Sequence, residues 1–332
     1  MEDSPVATGV TPSRRRLNLR VVVAWLALVV ALGFGAMAIA RDAEQLAQVW
    51  DRLDWWVLPA STLAVCVGLW CTAMCWRWFV RVLGHAAPLR LVTPFFLTQA
   101  GKYVPGAVWP VVAQAEVGRQ LGLPRSALPA ATAMFMVAHI TTGAAVGSLL
   151  GLVSGLPLPS WLLLLILAAA VAGMLPWAAQ LGAAALVRLL RTRRVPAVLS
   201  VLSGGVCARA WWAAHAWMAV TWLPYGLSLW LLLTGFDAQV RLGPALATFA
   251  LAWVGGFLVL IAPAGVGPRD AIMAALLLPA VSVTGDGLTA SSVVLASAVA
   301  SRLTTTVGDV VMALGSLAVR RAMRRGESAP AG

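Results

Sequence analysis

Charge is what this sequence has least of. Asp, Glu, Lys and Arg together make up 11% of its 332 residues, against about 25% in an ordinary soluble domain. With 61% apolar residues and a mean hydropathy of +0.87, no water-soluble fold of this length could hide the apolar surface the chain carries. Lysine is nearly absent, Lys102 being the single one among 24 basic residues. Histidine occurs only as His85, His139 and His215, too scattered for a metal site. The cysteines, Cys66, Cys71, Cys75 and Cys207, form no C-x-x-C pair and have no neighbouring histidine, so they read as small core or lipid-facing residues. Neither a Gly-rich nucleotide loop nor a nucleophile motif is found. The sequence therefore assigns no catalytic residue, no cofactor, no metal and no soluble catalytic domain.

What is abundant is the long apolar run. Spans of roughly membrane-crossing length are expected at 21–40, 55–82, 126–156, 159–188, 207–234 and 288–319, each bounded by charges or by Pro/Gly turns. The fold class is thus an all-α polytopic membrane protein with about six full transmembrane helices. Sixteen tryptophans, among them Trp50, Trp55, Trp56, Trp161, Trp211 and Trp212 near segment ends, fit aromatic belts at headgroup level. Residues 1–19 read as a disordered basic tail, 20–320 as one membrane domain and 321–332 as a second tail. The first apolar run resembles a signal peptide in its small residues Ala36, Ala38 and Ala40, but it is longer than a signal core and reads as an uncleaved helix.

The formal charge of +12 would suggest nucleic acid on a soluble domain. Here the arginines cluster beside apolar runs, so the charge sets orientation and no nucleic-acid partner is expected. Arg14–Arg20, Arg77 with Arg81 and Arg90, Arg119 with Arg125, Arg188–Arg194 and Arg320–Arg325 are assigned to the cytoplasm. Residues 41–54, 234–243 and 281–287 then face outward. The expected location is the cell membrane, multi-pass, with both termini cytoplasmic.

Two apolar regions do not read as simple spans. Residues 91–120 are broken by Gly101, Pro105, Gly106 and Pro110, and residues 243–280 by Pro263, Gly265, Gly267 and Pro268. Each reads as two short helices joined by an elbow, a re-entrant hairpin, and the orientation map has the two entering from opposite sides. The spans that follow carry similar clusters, His139-Ile-Thr141-Thr142 and Arg302-Leu-Thr304-Thr305, 33 and 37 residues beyond the elbow glycines Gly106 and Gly265. Inverted repeats with discontinuous helices are an architecture of secondary transporters.

An elbow inside a membrane must be buried in protein or line a wet cavity, because its free N–H and C=O groups cannot face lipid. The first elbow carries Lys102 and Tyr103, followed by Gln114, Glu116 and Arg119; the second carries Arg269 and Asp270. Half-helix N-termini and guanidinium groups both attract phosphate. Lys102, Tyr103, Arg269, Arg302 and His139 are therefore the candidate substrate-binding residues. Glu116, Asp270 and Asp309 are candidate coupling acids. Structural readings stand beside these: Lys102 snorkelling to the interface, Arg119 serving orientation alone, His139 as a hydrogen-bonded core residue, and Arg269 or Arg302 held by Asp270 or Asp309.

Around the second elbow the run Ala262-Pro263-Ala264-Gly265-Val266-Gly267-Pro268-Arg269-Asp270-Ala271, with Arg302 in the later span, resembles the membrane domain of lysylphosphatidylglycerol synthases. Gly101-Lys102-Tyr103-Val104-Pro105-Gly106 with Trp109 is similar to the first elbow of one branch of that family. This chain departs in Ala264 for a glycine, Asp270 for a glutamate, and Trp109-Pro110 where a Gly-Glu pair is common. The resemblance implies a flippase-like integral membrane protein. Because the chain ends soon after its last span, the soluble aminoacyl-transferring domain of the full synthases is not expected, and neither is lysyl transfer.

The leading functional expectation is binding or translocation of an anionic phospholipid or a polyprenyl-phosphate-linked glycan in envelope biogenesis. One alternative is a membrane glycosyltransferase using a lipid-linked sugar, with Asp42, Glu44, Asp51 and Asp54 in the first external loop as candidate acids. Another is a scaffold for envelope glycosyltransferases that moves nothing.

Overall fold

The computed structural model is almost wholly helical and describes residues 48–99, 109–124, 126–182, 207–259, 267–283 and 288–327. In chain order the helices are α1 (Val57–Val82), α2 (Val92–Gln99), α3 (Trp109–Gln120), α4 (Ala127–Ser154), α5 (Ser160–Met174), α6 (Ala208–Gly235), α7 (Leu242–Leu258), α8 (Pro268–Leu277) and α9 (Ala290–Glu327). Among the described residues, α1, α4, α6 and the Ala290–Ala322 part of α9 are each long and apolar enough to cross a bilayer alone. The expected span at 21–40 lies outside the described residues.

The span expected at 159–188 is not one straight helix. After Met174 it bends by 85° into Pro176–Gly182. Leu175 is extended, with φ −71° and ψ 140°. Proline has no N–H to give and crowds the residue before it out of the helical region, so Pro176 starts a new helix on a new axis.

The centre of the bundle is the pair α1 and α6, packed along their length and joined by a 2.6 Å hydrogen bond between the Ser61 and Ser228 hydroxyls. Trp76, Phe79, Trp222 and Phe236 are fully buried around that seam. Helix α7 lies against α4 and α6, α8 against α7, and α9 against α1 and α2. Where α6 meets α7 the chains touch through backbone: a Cβ on Gly226 would stand 2.6 Å from the Leu246 Cα. Small residues at such crossings let membrane helices gain van der Waals contact, which is the main attraction left when lipid is as apolar as the side chains. On the outer face of α9, Leu303, Val307, Val310, Val311 and Leu314 are about half exposed, as a lipid-facing stripe would be.

The bundle has two distinct ends. At one, the strands β1 (Ala238–Gln239) and β2 (Ser282–Val283) pair antiparallel, the Asp54 N–H donates to the Gly235 carbonyl at 3.4 Å, and Ser154 packs on Gly243. The other end holds the last turns of α1 and the start of α4, tied by the Trp76 indole N–H donating to Thr132 at 2.8 Å. The loops assigned to one side by charge, around 54, 234–243 and 281–283, therefore do meet at one end. Helices α7 and α8 form an antiparallel hairpin: Gly256 abuts Arg269 and Gly255 abuts Ile272. That hairpin opens at the strand end. The pair α2 and α3 opens at the opposite end, beside the C-terminus of α1 and the N-terminus of α4. The helix pairs that flank the two breaks thus have their outer ends at opposite ends of the bundle.

Candidate functional site

The site is built where α8 begins. Gly267 has φ +92°, a left-handed conformation that a β-carbon disfavours. Pro268 follows at the first helical position, where its missing N–H costs nothing. Asp270, three residues past the cap, turns its carboxylate back to accept the Gly267 N–H at 3.2 Å. This local chemistry fixes the direction in which α8 leaves the elbow. It also presses Arg269 onto α7, where Gly256 makes room: a Cβ there would lie 2.7 Å from the Arg269 Cβ.

Arg269 is buried, 9% exposed. One terminal nitrogen (Nη2) donates to the Ser301 hydroxyl of α9 at 3.3 Å, and the guanidinium carbon lies 4.8 Å from the centre of the Phe249 ring on α7. Its Nε has no hydrogen-bond partner among the described residues. No carboxylate there reaches it within ion-pair distance either, although Asp270 is its chain neighbour. Consecutive helical side chains diverge by about 100°, so Arg269 and Asp270 cannot face one another. The Ser297 hydroxyl, one helical turn from Ser301 on α9, is likewise buried without a partner among the described residues.

Asp270 instead reaches across to α9. Arg302 donates to it twice, Nε to Oδ1 at 3.2 Å and Nη2 to Oδ2 at 2.7 Å. This is the side-on fork that arginine offers to carboxylates and phosphates alike. Both side chains are about a quarter exposed. The start of α8 therefore gathers two guanidinium groups, one carboxylate, the orphan N–H groups of a helix N-terminus and the Ser301 hydroxyl. Of the two partners open to Arg302 in sequence, Asp270 is the one seen holding its fork. Asp309 lies two turns further along α9, within electrostatic reach of Tyr225 and Cys66.

The other candidates fall elsewhere. His139 is buried on α4 in an aromatic box, stacked on Trp253 with ring centres 3.7 Å apart and edge-on to Trp222 and Phe135. Glu116 and Arg119 are exposed on α3 and paired with each other. Lys102, Tyr103, Gly101, Pro105, Gly106, Pro263 and Gly265 lie outside the described residues. Near the first elbow the described contacts are neutral: Trp76 donates to Thr132, which donates to the buried Gln114 at 2.7 Å. Sequence reasoning did not single out Ser301 or Phe249. For Ser301 the signal was the polar spacing Ser297, Ser301 and Thr304 on one helix, at intervals of four and three.

The description "Lysylphosphatidylglycerol synthase TM region" belongs to a family model that matches residues 24–315, nearly the whole chain. The chain belongs to this family. No curated protein matches it. The match encloses both broken regions, Arg269, Asp270 and Arg302 in one membrane-embedded unit. Within it, the start of α8 and the facing turn of α9 bring together two guanidinium groups and one carboxylate. A buried guanidinium is costly in a low-dielectric surround unless an anion or hydrogen-bond acceptors meet it.

Proposed function

We infer that this membrane protein binds a lipid through an anionic headgroup and carries it between leaflets, with the phosphate received at the start of α8. The observation that supports this reading is Arg269: a buried arginine at a helix N-terminus, with one donor unpartnered and no carboxylate in contact among the described residues. A phosphate oxygen there would accept the free N–H, complement the positive end of the helix dipole and balance the charge. Arg302, one fork away, supplies a second guanidinium. The two broken helix pairs are read as re-entrant hairpins whose elbows line the headgroup's path, with Lys102 and Tyr103 on the opposite elbow. His139 belongs to the packing of α4 against α6 and α7 in this reading rather than to the headgroup.

The test is reconstitution. Proteoliposomes containing the wild-type chain should redistribute a labelled phosphatidylglycerol between leaflets faster than protein-free vesicles, and Arg269→Gln should abolish the difference. Headgroup binding that survives while redistribution is no faster than in empty vesicles would reduce the protein to a lipid-binding scaffold.

A further inference from the structure

The two arginines of the site differ in one respect that bears on how it works. The Nε of Arg269 has no partner among the described residues, whereas the Nε and Nη2 edge of Arg302 is already committed to Asp270. A guanidinium has one such side-on edge, so a phosphate cannot take the fork of Arg302 while Asp270 keeps it. The Asp270 carboxylate, moreover, has the contacts that a bound phosphate oxygen pair would have at this place. It accepts a backbone N–H from the helix N-terminus at Gly267 and two N–H groups from an arginine.

We propose that Asp270 is a tethered competitor for the headgroup's seat, holding Arg302 until a lipid phosphate, received first by Arg269, takes that guanidinium over. This rests on the headgroup reading above and adds its regulation. The exchange has a mechanical consequence. The Asp270–Arg302 fork ties half-helix α8 to span α9, and Arg269 with Ser301 is the other described hydrogen bond between them. Transfer of Arg302 to phosphate removes the fork and leaves the Arg269–Ser301 bond, so binding itself loosens the tie between α8 and α9. The released carboxylate stays at the cap of α8, where the helix N-terminus still stabilises it.

The experiment uses the full chain in nanodiscs, titrated with short-chain phosphatidylglycerol and, separately, with inorganic phosphate. Removing the competitor while keeping the cap oxygen, Asp270→Asn, should tighten phosphatidylglycerol binding by about tenfold, the scale of a charged hydrogen bond set free. Arg302→Gln and Arg269→Gln should each weaken binding about tenfold or more, and Asp270→Asn combined with Arg302→Gln should bind like Arg302→Gln alone. If the two arginine variants bind as the wild type does, the headgroup reading itself fails. If they bind weakly but Asp270→Asn is unchanged or weaker, Asp270 merely positions Arg302 and the competition is overturned while the headgroup reading stands. Inorganic phosphate binding as tightly as the lipid, in the same variant order, would make a free anion the ligand and overturn the lipid exchange. Should Asp270→Asn fail to fold, Asp270→Ser removes the charge and keeps a hydroxyl at the cap, and the same ordering decides.

Discussion

Helices α3 and α8 are both short, both follow a break rich in proline and glycine, and each carries one arginine and one acid. Their electrostatics nevertheless differ. On α3, Glu116 and Arg119 are three residues apart, on neighbouring turns of one face, and they neutralise each other in the open. On α8, Arg269 and Asp270 are adjacent in sequence and diverge; the acid goes to Arg302 on another helix, and the Nε of Arg269 has no partner among the described residues. Spacing along the helix decides whether a charge pair closes on itself or turns its two members to different neighbours.

The largest effect should come from Gly256, which seats Arg269. Gly256→Leu drives a side chain into the Arg269 backbone and Cβ, so we expect loss of folded protein in detergent, well beyond the roughly 1–3 kcal/mol of ordinary overpacking. Gly315→Leu on α9, where a Cβ meets nothing, should leave the melting temperature unchanged. Equal tolerance at both positions would mean that α7 and α8 are not held as tightly as the contact implies. Gly68, on a plain span, is no neutral control, since a Cβ there would stand 2.7 Å from the Tyr225 ring.

Next in size is the remote ion pair. Arg302→Gln should lower stability by about 1–3 kcal/mol, less than for a fully buried pair because both partners keep some exposure. Asp270→Asn added to it should restore part of that loss, as read by thermal unfolding of the single and double variants. Arg302→Lys keeps the charge but not the fork, and we expect a smaller loss of stability with a clear loss of lipid affinity. The local pair sets the lower bound: Glu116→Gln should not move the melting temperature measurably, since exposed i,i+3 pairs contribute little. A large effect there would erase the contrast between α3 and α8.

The membrane class, four of the six expected spans and the interruptions between α2 and α3 and between α7 and α8 were legible because lipid imposes a length of apolar run that composition displays directly. The kink at Pro176 was not, since Leu175-Pro176-Trp177 continues the apolar run on which the span was read, and hydropathy does not register a change of axis. Arg269 and Arg302 stood out as charges inside apolar segments. Which acid serves which arginine did not. Asp309 on the same face of α9 and Asp270 in the preceding hairpin are equally open in sequence, and only the packing of α8 on α9 brings the latter to 2.7 Å. The phenyl ring under Arg269 was hidden for the same reason: Phe249 lies 20 residues upstream, across the elbow, among other apolar residues of α7.

The most direct test of the account is the thermal stability of Arg269→Gln in detergent, with and without added phosphatidylglycerol. A ligand that binds only the folded protein raises its melting temperature by mass action. The wild type should show that rise. Arg269→Gln should lose it, while its lipid-free melting temperature stays at or above that of the wild type, because a buried charge that no described carboxylate contacts has been removed. A variant that is markedly less stable without lipid, yet is stabilised by phosphatidylglycerol as strongly as the wild type, would contradict the account and make Arg269 a structural residue.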